Sequence, residues 1–437
     1  MATIRLETFG PGAAVVSNST FVSKLKNAVA TAVNGTVIDC TGYTGSITMT
    51  QNITVTRSVT ILLGNITLTF TASGNLNMFN VQAPNVKFIG VSRSNTTNSG
   101  ETATKFVMPA GRGYHIYAAN PTSAVTTSAN GLTIENIDFQ GVKSTYTSLS
   151  GTVNYTYSGA GGIVIAEGNP NQAGSNISNI LIKNVHVDSA KHHGIMIYGA
   201  ITSRLVQCRV RNTAGHGYYI TGSSTSVHLD TCYALSTDLA GFCLEGATYS
   251  ALTTCAADNC SVGYWLRSSR GINLTSCGAE ASTINSNILP NNLGLTLQST
   301  GGAVAINDIG SDNINFFKGT SYLITGGESN SLISCYSKDP GNRAGQTTYA
   351  NSRTSHITLA GSTTLNRIMT PLFAGTSPVK YKLKLVPIGS SFPDKNIIDY
   401  GNFTYDSTNP EPADLQDMLP VADIFNQNNT NVYISFD

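Results

Sequence analysis

The stretch from His193 to Arg267 carries one short phrase four times: His193-Gly194-Ile195-Met196-Ile197-Tyr198, His216-Gly217-Tyr218-Tyr219-Ile220-Thr221, Ala240-Gly241-Phe242-Cys243-Leu244-Glu245 and Val262-Gly263-Tyr264-Trp265-Leu266-Arg267. Its glycines lie 23, 24 and 22 residues apart. A fixed period in the range of about 20–50 residues marks stacked copies of one supersecondary unit. An earlier copy, Gly162-Ile163-Val164-Ile165-Ala166, lies 32 residues upstream. That longer step fits one rung enlarged by a loop such as Gly168-Asn169-Pro170-Asn171-Gln172. Cysteines form a second series: Cys208, Cys232, Cys255 and Cys277 are 24, 23 and 22 apart, and Val185 and Ile137 hold the matching place in the earlier phrases LIKNVHV and LTIENIDF. Each period has room for about three short strands joined by Gly, Asn and Ser turns. The spacing predicts an all-β chain folded as a right-handed parallel β-helix with rungs of 22–24 residues. The L-x-x-L-x-L pattern of leucine-rich repeats is absent, and propeller blades need roughly 40 residues or more.

Working outward from this core, the rungs are most regular from about 130 to 280 and continue less regularly to about 340. On the N-terminal side come β-rich runs such as SITMTQNITVT and SVTILLGNITLTF. Residues 17–34 carry the best helix signal: Ser17 or Ser19 as N-cap, an apolar stripe of Phe21, Val22, Leu25, Val29 and Val33, and Gly35 just beyond. This predicts an N-terminal capping helix over 17–34 within a β-helix domain of 17–340. Residues 1–16 form a short arm before it. From 341 to 437 longer alternating runs (TSHITLAGSTTLNRIM, VKYKLKLVPIG, NVYISF) predict a small, mainly β C-terminal region.

Composition excludes several classes. Twenty-five Lys and Arg balance 24 Asp and Glu, a net charge of +1. That gives no basic excess for nucleic acid. Charged residues are 11% of the chain, against roughly 25% in ordinary globular proteins. Hydrophobic residues are 41%, which argues against disorder. No apolar run approaches the roughly 18 residues of a membrane span, and the start lacks the basic and apolar regions of a secretory signal.

Alternation along the repeated strand assigns faces. Ile163/Ile165, Ile195/Ile197, Tyr218/Ile220, Phe242/Leu244 and Tyr264/Leu266 are uniformly large and apolar, so they face the interior. Val164/Ala166, Met196/Tyr198, Tyr219/Thr221, Cys243/Glu245 and Trp265/Arg267 face outward. Adjacent rungs lie about 4.8 Å apart. The outer strip therefore gathers Tyr198, Tyr219 and Trp265, the one tryptophan, beside Glu245 and Arg267. Aromatic rings next to a carboxylate and a guanidinium on a rigid strip suit a sugar polymer; the alternative is a strip covered by loops or a neighbouring subunit. Hydrolysis of a glycosidic bond normally needs two carboxyl groups. Glu245 with Asp238 or Asp258 is the best pair available, and a Glu245–Arg267 ion pair across rungs is the competing reading. A lyase would instead use a cation and a Tyr, His, Lys or Arg base, for which Arg267, Tyr198 and Tyr219 qualify. His193 and His216 share the turn position before the strand and are candidate substrate-binding residues. Two turn histidines bonded to the backbone, placed toward the interior by parity, are the plainer reading.

The cysteine spacing reads as buried thiols, one per rung, rather than as a disulfide framework. No C-x-x-C pair occurs, so no zinc site is expected, and nothing calls for another metal or a cofactor.

These features together resemble the pectin-lyase-like parallel β-helix superfamily, and phage tailspike depolymerases above all. The carrying segments are the capping helix TFVSKLKNAVATAV, the run NGTVIDCTGYTGSITMTQNITVTRSVTILLGNITL, the phrases MFNVQAPNVKFIGV and NGLTIENIDFQGV, and the rungs behind them, over roughly residues 17–340. No polygalacturonase-type catalytic signature is present, so no catalytic residue is carried over. The resemblance implies a homotrimeric virion protein of a phage tail, made in the host cytoplasm, that binds and cleaves a bacterial capsule or O-antigen polysaccharide. It implies an arm at 1–16 for attachment to other tail proteins. The alternatives are a non-enzymatic adhesive or structural β-helix fibre that binds glycan without cutting it, and an extracellular lyase.

Overall fold

The computed structural model describes residues 2–9, 18–74, 76–91, 104–109, 113–119, 129–143, 152–154, 161–166, 177–280, 296–299, 302–305, 319–338, 355–369, 371–374, 381–386, 393, 395–399 and 433–435. The chain divides into two compact units. Met1–Thr145, Gly151–Gly215 and Leu295–Ile306 form the first; Tyr146–Ser150, His216–Gly294 and Asn307–Asp437 form the second.

Each unit is a stack of rungs, and each regular rung gives one strand to each of three parallel sheets, here sheets I, II and III. In the second unit, sheet I holds Tyr218–Thr221, Ala240–Glu245, Val262–Arg267, Thr320–Thr325, Ser355–Ala360 and Tyr381–Val386. Sheet II holds Thr225–Asp230, Ala251–Thr253, Asn273–Thr275, Ser331–Ile333, Arg367–Met369, Ile397–Asp399 and Tyr433–Ser435. Sheet III holds Tyr233–Leu235, Ala256–Asp258, Gly278–Glu280, Tyr336–Lys338 and Leu372–Ala374. Strands beyond residue 341 thus pair in parallel with those before it. The register is the one read from the repeat: Phe242 opposes Tyr264, and Glu245 opposes Arg267. The architecture is a parallel β-helix.

The interior follows from that register. Tyr218, Phe242, Tyr264 and Tyr322 stack face to face, with ring centroids 4.7, 4.9 and 5.0 Å apart and planes within 6°. Tyr322 donates its hydroxyl to the carbonyl oxygens of Cys277 and Tyr336, and Tyr264 to those of Cys255 and Gly278. The interior thereby meets backbone acceptors that it would otherwise leave bare. All eight cysteines are buried thiols. Cys255, Cys277 and Cys335 each lie 3.4–3.5 Å from a carbonyl oxygen of the rung before. Burial and the neighbouring Cys277 push the Cys335 thiol up to about 12, the opposite of a reactive thiol.

The turn from sheet II into sheet III uses one left-handed residue per rung: Thr231, Thr254, Ser276 and Ser334 in the second unit, and Asn136, Asn184 and Gln207 in the first. In the first unit Asn184 Nδ2 donates to Asn136 Oδ1 at 2.7 Å, so the turn column is a side-chain ladder as well. After glycine, Asn tolerates this conformation best, which accounts for part of the Asn excess; the β-branched Thr231 and Thr254 adopt it against their own preference.

The helix spans Asn18–Thr31, shorter than the expected 17–34. Phe21, Val22, Leu25 and Val29 are buried as the periodicity requires. Val33 is not: it lies past the helix end and is 66% exposed. Of the two expected N-caps, Ser19 lies inside the helix and Ser17 outside the described residues. The helix packs against the first strands, with Phe21 edge-on to Tyr43 at 5.0 Å. The expected arm is in part built into the fold: Thr3–Arg5 pairs in parallel with Thr36–Cys40, and Leu6 is fully buried. The insertion at Gly168–Gln172 lies outside the described residues. Among the described residues no helix is long and apolar enough to cross a membrane.

Candidate functional site

The expected outer strip exists, but it is not open. Tyr219, Trp265, Tyr198 and Arg267 are 0, 4, 7 and 8% exposed. Parity put them on the correct face; burial of that face was the alternative the sequence left open. Tyr219, Glu245, Trp265, Arg267 and His216, all in the second unit, do come together. Arg267 Nη1 lies 3.2 Å from Glu245 Oε1, and the Tyr219 hydroxyl donates to Glu245 Oε2 at 2.5 Å. Arg267 stands over the Trp265 ring at 5.6 Å, while Trp265 Nε1 donates to Thr325 Oγ1 at 2.9 Å. Glu245 is thus clamped by a cation and a phenol. That is the cross-rung ion pair of the competing reading.

His216 corrects the parity argument. It packs on Tyr219 at 5.0 Å and on Trp265 at 6.0 Å, so it sits with the strip and not in the interior. The turn before the strand resets the alternation. Its Nδ1 accepts the Ala240 N–H at 3.0 Å. Burial, and then the Arg267 charge, hold its pKa down at about 3, so the ring is neutral. Tyr198 and His193 are buried residues of the first unit.

The two aspartates do not join Glu245. Asp238 is buried in the turn before Ala240–Glu245. Asp258 ends the sheet III strand Ala256–Asp258, whereas Glu245 lies on sheet I.

Asp258 instead belongs to a half-exposed face of sheet III. One column across the rungs reads Tyr233, Ala256, Gly278, Tyr336; the next reads Leu235, Asp258, Glu280, Lys338. All eight are partly exposed. The Tyr233 hydroxyl donates to Asp258 Oδ2 at 2.6 Å, and Lys338 Nζ lies 2.5 Å from Glu280 Oε1. Ala256 and Gly278 keep the floor low between two tyrosines three rungs apart, about 14 Å by strand spacing. Asp258 and Glu280 face one another across neighbouring rungs, whose strands lie about 4.8 Å apart. Burial raises the Asp258 pKa; the Tyr233 hydrogen bond and Lys338 lower it, and the Glu280 charge raises it, with a net upward shift.

This face was written in the cysteine series. One and three residues after each cysteine come the outward positions: Cys232-Tyr233-Ala234-Leu235, Cys255-Ala256-Ala257-Asp258, Cys277-Gly278-Ala279-Glu280 and Cys335-Tyr336-Ser337-Lys338. Reading the thiol ladder for its flanks, not only its core, finds Tyr233, Glu280, Tyr336 and Lys338. Among the described residues no group of three or more His, Cys, Asp or Glu is placed to hold a metal ion.

No protein-family model matches the chain, and no curated protein matches it. Solved structures do. The A-module of the mannuronan C-5 epimerase AlgE4 of Azotobacter vinelandii aligns over 90% of this chain and 93% of its own, at 10% identity and a TM-score of 0.54. Bacteriophage phi29 gene product 12, in its pre-mature form, aligns over 91% of this chain at 11% identity and 0.51. An Acinetobacter phage tailspike aligns over 90% at 10% identity and 0.50. The chain spans 48% and 62% of the lengths of those two phage proteins. At these identities the likeness is one of fold.

Proposed function

We propose that this parallel β-helix binds and cleaves a bacterial surface polysaccharide, a capsule or O-antigen, as a tailspike-like homotrimer of a phage virion. The observation that carries the reading is the sheet III face of the second unit, where two carboxyl groups on adjacent rungs lie beside a low floor bounded by Tyr233 and Tyr336. The tyrosine faces offer stacking surfaces for pyranose rings. Two carboxyl groups on neighbouring rungs fit the retaining arrangement, in which groups about 5–5.5 Å apart act as acid and nucleophile. Asp258, with its raised pKa, is the acid. Glu280, paired with Lys338, is the nucleophile. The fold shared with a phage tailspike and with an enzyme named for a polysaccharide supports the substrate class.

The test is incubation of the full chain with capsular and O-antigen polysaccharides, following reducing ends and ultraviolet absorbance. Reducing ends without new absorbance are expected from the parent protein. Asp258→Asn and Glu280→Gln each lower the rate at least about 100-fold, the scale of lost acid–base catalysis, with binding retained. A parent-like rate in either variant sinks the assignment. New absorbance from an unsaturated uronate makes the protein a lyase. Binding without either product makes it an adhesin, a reading favoured by the Lys338 contact that ties Glu280 down.

A further inference from the structure

Sheet III of the first unit carries the greater concentration of ionisable groups. Its outward column runs Lys105, Asp138, His186, Arg209 over four successive rungs, and Asp188 and Arg211 oppose one another in the next column. In a chain with 11% charge this is a break from the rule. Most stacked positions carry neutral side chains, since like charges on neighbouring rungs would repel. Asp188 is fully engaged: Arg211 Nη2 lies 2.6 Å from its Oδ2, and Asn212 and Ser189 each donate to its Oδ1 at 3.0 Å. Burial pushes the Asp188 pKa up, but those hydrogen bonds and the Arg211 charge outweigh it and hold it below the usual range. Asp188 is therefore fully engaged, with Arg211 as its charged partner.

His186 is different. It is 6% exposed, between Asp138 on one side and Arg209 on the other. Its Nε2 is buried and makes no hydrogen bond with any described residue. An unmet buried polar atom is costly, because it has lost its water without gaining a partner. Packing alone gives no reason to keep it, since a neutral, apolar or hydroxyl side chain would stack as well. Burial, then the Arg211 and Arg209 charges, hold the imidazole at about 4, so at neutral pH it brings an N–H without a charge. The sites where a sequence departs from its own local rule are where function is to be sought.

We propose that this face of the first unit binds the carboxylate of an acidic sugar, with Lys105 and Arg209 as the cations and His186 Nε2 as the hydrogen-bond donor. The Nε2–H tautomer donates to one carboxylate oxygen. Arg209, the more rigid and planar of the two cations, takes the other. Lys105 and Arg209 are partly exposed at the rim, and their flexible stems let a ligand reach the ring beneath. The proposal rests on the glycan reading only for the source of the carboxylate. It stands whether or not the polymer is cleaved.

Calorimetric titration of the full chain with hyaluronan hexasaccharide, with neutral isomaltohexaose and with inorganic phosphate tests it. The acidic sugar is expected to bind at least about tenfold more tightly than the neutral one, a margin of about 1.4 kcal/mol. Arg209→Ala and Lys105→Gln each remove most of that margin, and Arg209→Lys restores part of it. Because His186 is buried and its variants can fail to fold, its readout is the parent protein's imidazole nitrogen resonances. The Nε2 signal moves on addition of the acidic sugar and not of the neutral one. Equal binding of the two sugars, an unmoved Nε2 signal, or no binding of the hexasaccharide overturns the proposal. Phosphate that displaces the sugar at equal concentration reassigns the face to inorganic anions and overturns it too. Loss of cleavage in the Asp258 and Glu280 variants reads the other unit, so failure of one reading is distinguishable from failure of the other.

Discussion

Gly278 shows what one side chain decides. A Cβ built there meets nothing closer than Tyr336 Cδ1 at 4.0 Å, and its backbone is not left-handed. Gly278→Leu should therefore leave thermal unfolding within a few degrees of the parent while filling the floor between Tyr233 and Tyr336. Glycan affinity by calorimetry should fall about tenfold or more, since a blocked subsite loses its stacking contacts. Unchanged affinity in a folded variant would move the binding face elsewhere. Glu245 is the contrasting residue. Its register with Arg267 was legible from a spacing of 22, because lateral neighbours in a parallel stack differ by one period. The Tyr219 contact that completes its clamp was not, because a phenol one rung away reaches it only through its own rotamer.

At the scale of the element, the interior aromatic column is the clearest product of the repeat. Four rings stacked at 4.7–5.0 Å exclude water from the inner face of sheet I. Phe242 sits between Tyr218 and Tyr264, so Phe242→Ala opens a cavity with rings above and below. The expected loss is about 3–5 kcal/mol, read as a lowered midpoint of urea unfolding. A loss below about 1 kcal/mol would mean the rungs collapse onto the gap. Tyr218, Phe242 and Tyr264 follow from alternation in the repeated phrase; Tyr322, beyond those phrases, joins them only in the structure. The sheet III strands were harder to place, since three residues each are too short for a period of two to show. The cysteine ladder marks them because each thiol sits just before the strand, against the carbonyl of the rung before.

For the molecule as a whole, buried histidines set the response to acid. Burial holds the pKa of His115 at about 4, burial and the adjacent arginines hold His186 at about 4, and burial and Arg267 hold His216 at about 3. All three lie below the unfolded value of about 6.5, so the folded state favours the neutral ring. Their contribution is fully present above pH about 6.5 and is lost as pH falls toward 3–4, because the unfolded chain takes up protons first. At pH 5 each costs about 2 kcal/mol. Melting temperature should drop clearly between pH 7.5 and 5.0, with no change between 7.5 and 8.5. A flat profile from 7.5 to 5.0 would show that these rings gain solvent before they titrate.

The sequence by itself determined the rung, its register and the apolar inner column. A parallel stack turns a period of 22–24 residues directly into lateral neighbours, and alternation then assigns faces. It also marked, in its low charge, a surface where any ionisable group on a rung is conspicuous. Tertiary structure alone decided which outward positions are covered. Tyr219, Trp265 and Arg267 stand on the outer face of sheet I and are buried nonetheless, while Asp258 and Glu280 on sheet III remain half-exposed. Exposure depends on the rotamers that gather around each position, as His216, Glu245 and Thr325 gather around Tyr219, Trp265 and Arg267, and no period within the rung encodes those.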